Sequence, residues 1–130
     1  MAAAVDRLLV GYAPAVVLVG SIVALFEIAG FLPQRAGLGL DLVAGIIGGS
    51  WCSLNFWRCR HAHCVVTGGG WLAFSVLVLI EVVIGHSLIQ GYEQPAFIAI
   101  LGAGLLFEAG WYARRRTNAV LSVERRPPSR

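Results

Sequence analysis

The sequence has no lysine, little charge of either sign and an odd number of cysteines, and each shortage closes off a class of function. Charged residues make up 13% of the 130 positions, against the roughly 25% of an average water-soluble domain. With 58% hydrophobic residues and a mean hydropathy of +0.76, the chain is too apolar for a soluble core and belongs in a bilayer. Three cysteines exclude a complete disulfide framework within one chain. No Cys-x-x-Cys pair occurs, which excludes a paired zinc knuckle and the active pair of quinone-linked disulfide enzymes. Thr67-Gly68-Gly69-Gly70 lies at a helix entrance without the lysine of a phosphate-binding P-loop. No serine, histidine and acid constellation stands out either, so a hydrolase or transferase is not expected and the chain reads as a non-enzyme. Its ten basic residues are all arginine. Beside apolar runs they point to anionic lipid and to topology, not to nucleic acid.

Long apolar runs are what the sequence does have. Residues 8–32, 38–57, 65–89 and 96–113 are read as four spans, each near the ~20 residues that cross a hydrocarbon core of about 30 Å. The first is read as a retained helix, because its apolar run far exceeds the ~7–15 residues of a signal peptide's core. Residues 117–130, with Pro127-Pro128, read as a disordered basic tail on the cytoplasmic side. The expected fold is therefore all-α: an integral four-helix bundle of the cell (inner) membrane within residues 1–116. Four spans put both termini and the second loop on one side. That side collects Arg7, Arg58, Arg60 and Arg114 to Arg116, against Arg35 alone on the other, so the positive-inside rule makes it cytoplasmic.

Helical spacing sorts the faces. Asp41, Gly45, Gly48, Cys52, Asn55 and Cys59 recur at steps of three and four, a stripe too polar for lipid and so expected to face inward. Cys64, Thr67, Trp71, Phe74, Val78, Glu81 and Gly85 share one face of the third run in the same way. Gly45 and Gly49, extended by Ser53, make a small-residue ridge that permits close helix approach, and a homo-oligomer through these three is expected.

Trp51 to Cys64 holds all three cysteines and two of the three histidines. It reads as a short polar hairpin at a membrane face. Cys59, His61, His63 and Cys64, with Cys52 two turns upstream, offer thiolate and imidazole donors of the kind that bind Zn, Cu or Hg ions. The plainer alternative takes the cysteines as small hydrophobes and the histidines and arginines as headgroup contacts. Glu27, Asp41, Glu81, Glu108 and His86 fall inside or at the edges of the spans. An ionisable group at membrane depth costs ~2.5–3.5 kcal/mol on insertion scales and tends to face the bundle interior. Glu27, Glu81, His86 and Glu108 are accordingly expected to form an intramembrane polar path, the alternative being hydrogen-bonded glue between helices.

The stretch from Asn55 to Gly68 resembles a pattern in small uncharacterised prokaryotic four-span membrane proteins. The shared residues are Asn55, Arg58-Cys59, His63-Cys64 and Thr67-Gly68, within a stretch that covers about a tenth of the chain. In size, helix count and multiple thiols the chain is also similar to the mercuric-ion transport proteins, although it lacks their vicinal cysteines. Either resemblance singles out Cys59, His63 and Cys64, with Asn55, Arg58 and Thr67 as supports. The expected function is binding or transport of a soft metal cation through a cytoplasmic Cys/His loop. A membrane interaction or assembly subunit and a membrane thiol-redox protein are the competing readings.

Overall fold

The computed structural model describes residues 12–117 and residue 120, with side chains from residue 16 onward except that of Cys59. Arg7, most of residues 117–130 and the thiol of Cys59 thus lie outside what is described. Among the described residues the chain is all-helical: α1 (Tyr12–Gly30), α2 (Gln34–Cys59), α3 (Ala62–Ile84) and α4 (Glu93–Arg115). Helices α2, α3 and α4 are long and apolar enough to cross a membrane, while the described apolar part of α1, Val16–Gly30, is shorter. Large hydrophobic side chains such as Val23, Ile46, Val76 and Leu106 stand on the outside.

The connections are tighter than the hydropathy runs suggest. Pro33 caps α2 with φ −53° and ψ 142°, so the helix begins four residues before the apolar run at 38. Gly85 adopts φ 83° and donates its N–H to the Glu81 carbonyl, ending α3 at Ile84 instead of at residue 89. Helix α4 starts at Glu93 because Pro95, as its third residue, needs no N–H partner within the first turn. The expected Cys/His hairpin shrinks to Arg60, left-handed at φ 54°, and His61, extended at φ −69°. Trp51 to Cys59 finishes α2, and Ala62 to Cys64 begins α3.

Each helix packs chiefly on its neighbours in sequence, with α2 against α3 the most extensive pair. Small residues make that contact close. A Cβ on Gly48 would collide with the Trp71 ring, one on Gly49 with Leu72, and one on Gly68 with Ser53. Gly45 instead faces Phe97 and Ser75. Gly45, Gly49 and Ser53, expected at an oligomer contact, are therefore occupied by helices of their own chain. Phe97, fully buried, is the hub of the core: Phe26 stacks on it, and Trp71 and Phe74 meet it edge-on. Trp71 donates its indole N–H to the Phe97 carbonyl at 2.9 Å. The α3 face expected from spacing is largely the buried one, with Cys64, Thr67, Trp71, Val78 and Glu81 all inside.

Candidate metal centre

The tight turn decides what the histidines can do. Left-handed Arg60 reverses the chain in two residues, so His61 serves as the N-cap position of α3 and His63 falls in its first turn. Their rings lie edge to face, with centroids 5.7 Å apart. The first turn of a helix has N–H groups without intrahelical partners, and His61 supplies no side-chain cap. Glu108, arriving from α4, fills the gap. Its Oε2 accepts from the backbone N–H of His63 at 3.4 Å and is hydrogen-bonded to Nδ1 of the same residue. Its Oε1 lies 4.0 Å from Nδ1 of His61.

Gly104 is what brings α4 this close. It lies one turn before Glu108, and a Cβ there would meet the Thr67 hydroxyl and stand 3.3 Å from the His63 carbonyl. The result is a half-buried cluster in which one donor atom from each of His61, His63 and Glu108 falls within 4.8 Å of the others. Beside it lies a shallow, open cleft of about 530 Å³ lined by His63, Leu105, Glu108, Ala109 and Tyr112. Arg58, Arg60, Arg114 and Arg115 all belong to this end of the bundle. Beyond α4 the chain returns to the turn, where the Val120 N–H donates to the Arg60 carbonyl at 2.9 Å.

Two imidazoles and a carboxylate form a donor set that suits a divalent ion of borderline softness, with zinc the type case. The set differs from the cysteine-rich one expected. Cys64 is buried, with its Sγ 3.3 Å from Nε2 of His63, on the ring edge away from Glu108. Cys52 lines an apolar groove of about 310 Å³ that runs along α1 and α4 over a floor including Thr67 and Trp71. The Cys59 side chain is outside the described residues.

The four polar positions expected to mark a path are spread out. Glu108 is in the histidine cluster, whereas Glu81 is fully buried 18 residues beyond His63 on α3, about 27 Å along the axis. Glu27 is exposed along the apolar groove, and His86 is exposed in the α3–α4 connection. Around Asp41 the fold instead gathers Glu81, Glu93 and Gln94, of which the last two lie between the third and fourth apolar runs of the sequence. Gln94 Nε2 donates to the Phe26 carbonyl at 2.9 Å and to Oδ1 of Asp41 at 3.2 Å. The available signal for Glu93 was Pro95: a proline two residues on suits the first turn of a helix.

Comparison of the chain with protein-family models, with curated proteins and with solved structures finds no match. The function is therefore argued from the site itself.

Proposed function

We propose that this is a small four-span membrane protein that binds a divalent transition-metal cation of the zinc class at one membrane face, through His61, His63 and Glu108. The observation that carries this reading is the convergence of three donors from the α2–α3 turn and from α4 within 4.8 Å of one another. A cation there would take the place of the proton in the His63–Glu108 hydrogen bond. The cleft beside His63 and Glu108 gives it access from the aqueous face. Arg58, Arg60, Arg114 and Arg115 at the same end, against Arg35 at the other, support a cytoplasmic location for the site and for both termini. The localisation that follows is the cell membrane, with the bilayer as the principal surrounding.

The test is Zn²⁺ binding by the detergent-purified chain, measured by titration calorimetry and by retained metal. One ion per chain is expected, lost in the His61→Ala/His63→Ala variant with helical content intact. An equal stoichiometry in the wild type and the variant, or no bound ion in either, removes the reading.

One contact favours a second reading, reactive-thiol chemistry at Cys64. With the His63 proton on Nδ1 facing Glu108, Nε2 is left to accept from the Cys64 thiol at 3.3 Å, so the three side chains stand in the order nucleophile, base and orienting carboxylate. Alkylation of Cys64 separates the two. A rate that falls at least tenfold in His63→Ala supports thiol activation, and an unchanged rate leaves the contact as packing.

A further inference from the structure

The end of the bundle opposite the histidines holds a feature that the proposed zinc site does not use. Asp41 lies two turns into α2, Glu81 in the last turn of α3 and Glu93 at the first residue of α4, and all three are buried, at 5%, 0% and 3% exposure. Glu81 and Glu93 are near enough for their charges to act on Asp41. One oxygen of Glu81 accepts the Leu88 N–H at 2.7 Å, and one of Asp41 accepts from Gln94. Two other oxygens, Oε2 of Glu81 and Oε1 of Glu93, are buried without any hydrogen-bond partner.

Such atoms call for an explanation, because a buried carboxylate is ordinarily paired or fully hydrogen-bonded. Among the described residues no basic side chain forms an ion pair with any of the three acids; the ion pairs described are those of Glu108. The nearest described arginine at this end is Arg35, which is exposed, with its Cδ 3.9 Å from where a Cβ on Gly85 would stand. Asp41 and Glu93 also line a cavity of about 230 Å³, together with Gln34, Ser87 and Gln94. Glu93 thus lines a polar chamber and also holds a partnerless oxygen, which is sealed from water.

We propose that Asp41, Glu81 and Glu93 form a second cation site that takes a hard divalent ion of the Mg²⁺ or Mn²⁺ class with part of its water shell. The donor chemistry selects this class: the acids offer only oxygen, which suits hard ions, whereas the histidine cluster offers nitrogen. Spacing selects the hydrated form. Among the described residues only His61, His63 and Glu108 draw three donors within 4.8 Å. The carboxylates stand wider, and Asp41 and Glu93 line a space with room for several waters at ~30 Å³ each. An ion of the Mg²⁺ class commonly keeps several waters and binds through one or two carboxylates. The site sits one or two turns from the helix ends, at a depth that an aqueous ion reaches without crossing the hydrocarbon.

The inference stands independently of the zinc reading, and its test keeps the two apart. The full chain in detergent is titrated with Mn²⁺ alone, followed by loss of the free-ion electron paramagnetic resonance signal. One Mn²⁺ per chain is expected in the wild type and equally in His61→Ala/His63→Ala. Asp41→Asn/Glu93→Gln should bind Mn²⁺ at least tenfold more weakly while retaining its helical circular dichroism. Glu81→Gln, an isosteric change at the deepest acid, provides the same loss should the double variant fail to fold. Absence of Mn²⁺ binding in the wild type, affinity unchanged by the acid substitutions, or binding lost with the histidines would each overturn the proposal.

Discussion

Glu108 closes the open end of a helix to which it does not belong. It is 45 residues from His63 in sequence, yet one carboxylate oxygen takes both the backbone N–H and the ring of that residue. An anion at a helix N-terminus is favourable twice, through the orphan N–H groups and through the macrodipole. The residue that would give the proposed metal site its carboxylate is therefore also the clasp between α3 and α4, and the two roles are separable by substitution.

Glu108→Gln keeps an acceptor for the His63 N–H and removes the charge, whereas Glu108→Ala removes both. The alanine variant should lose about 1 kcal/mol of stability, as expected for a lost helix cap, and the glutamine variant less. Both should lose Zn²⁺ affinity by tenfold or more. Denaturant titration in mixed micelles beside calorimetry reads the two effects separately. A glutamine variant that binds Zn²⁺ as tightly as the wild type would show that the carboxylate is not a ligand.

Gly104→Val should disable the histidine cluster from a distance. The new side chain has to displace the Thr67 hydroxyl and press on the His63 carbonyl, which pushes α4 off α3 one turn from Glu108. Zn²⁺ binding should fall at least tenfold, whereas Gly102→Val, where a Cβ meets nothing within 4 Å, should leave it unchanged. Equal binding by both variants would mean that close helix approach is not what builds the site.

Cation binding at His63 should release protons. The nitrogen that faces Glu108 holds the hydrogen bond between them, and a metal ligand must be deprotonated. Protons and Zn²⁺ therefore compete, so affinity falls as pH is lowered, and calorimetric heats should scale with the ionisation enthalpy of the buffer. Heats independent of the buffer would place the ion elsewhere.

Phe97 should be the costliest residue of the core to truncate. It is fully buried, contacts three aromatic rings and fills the space left by Gly45. Phe97→Ala should cost about 3 kcal/mol or more, the low end for a buried phenylalanine, and release the tryptophan fluorescence of Trp71 from its packed environment. Gly45→Leu should fail for the opposite reason, because its side chain needs the volume Phe97 already occupies.

The sequence made the all-helical class legible, together with the inward face of α3, because period and hydropathy are local properties. Cys64, Thr67, Trp71, Val78 and Glu81 were placed on one buried stripe by counting alone. The helix ends were less accessible. Gly85 stops α3 through a left-handed conformation inside an apolar run, and Pro95 is absorbed into a first turn where it costs nothing. The donor set was beyond reach for a different reason. Histidines at i and i+2 share a side in an extended loop, but nothing in that spacing shows that the left-handed Arg60 turns the loop into a helix start. The pairing with Glu108 then depends on Gly104, a tertiary contact that no periodicity encodes. Glu93 was hidden by its place between two apolar runs, since its burial comes from the fold of the connection before it.

Because each helix leans mainly on the one before and after it, the bundle is built like a folded screen, with panels hinged in sequence and its two outer panels latched where Phe26 meets Phe97 and Gln94. Such an order lets every new helix find its partner as soon as it is made, with no long wait for a distant segment, and contacts between near neighbours in sequence form fast. Helix α4 carries both Glu93 and Glu108. Arrival of α4 therefore completes the acid chamber at one face and the histidine cluster at the other, so a chain truncated before it would hold neither.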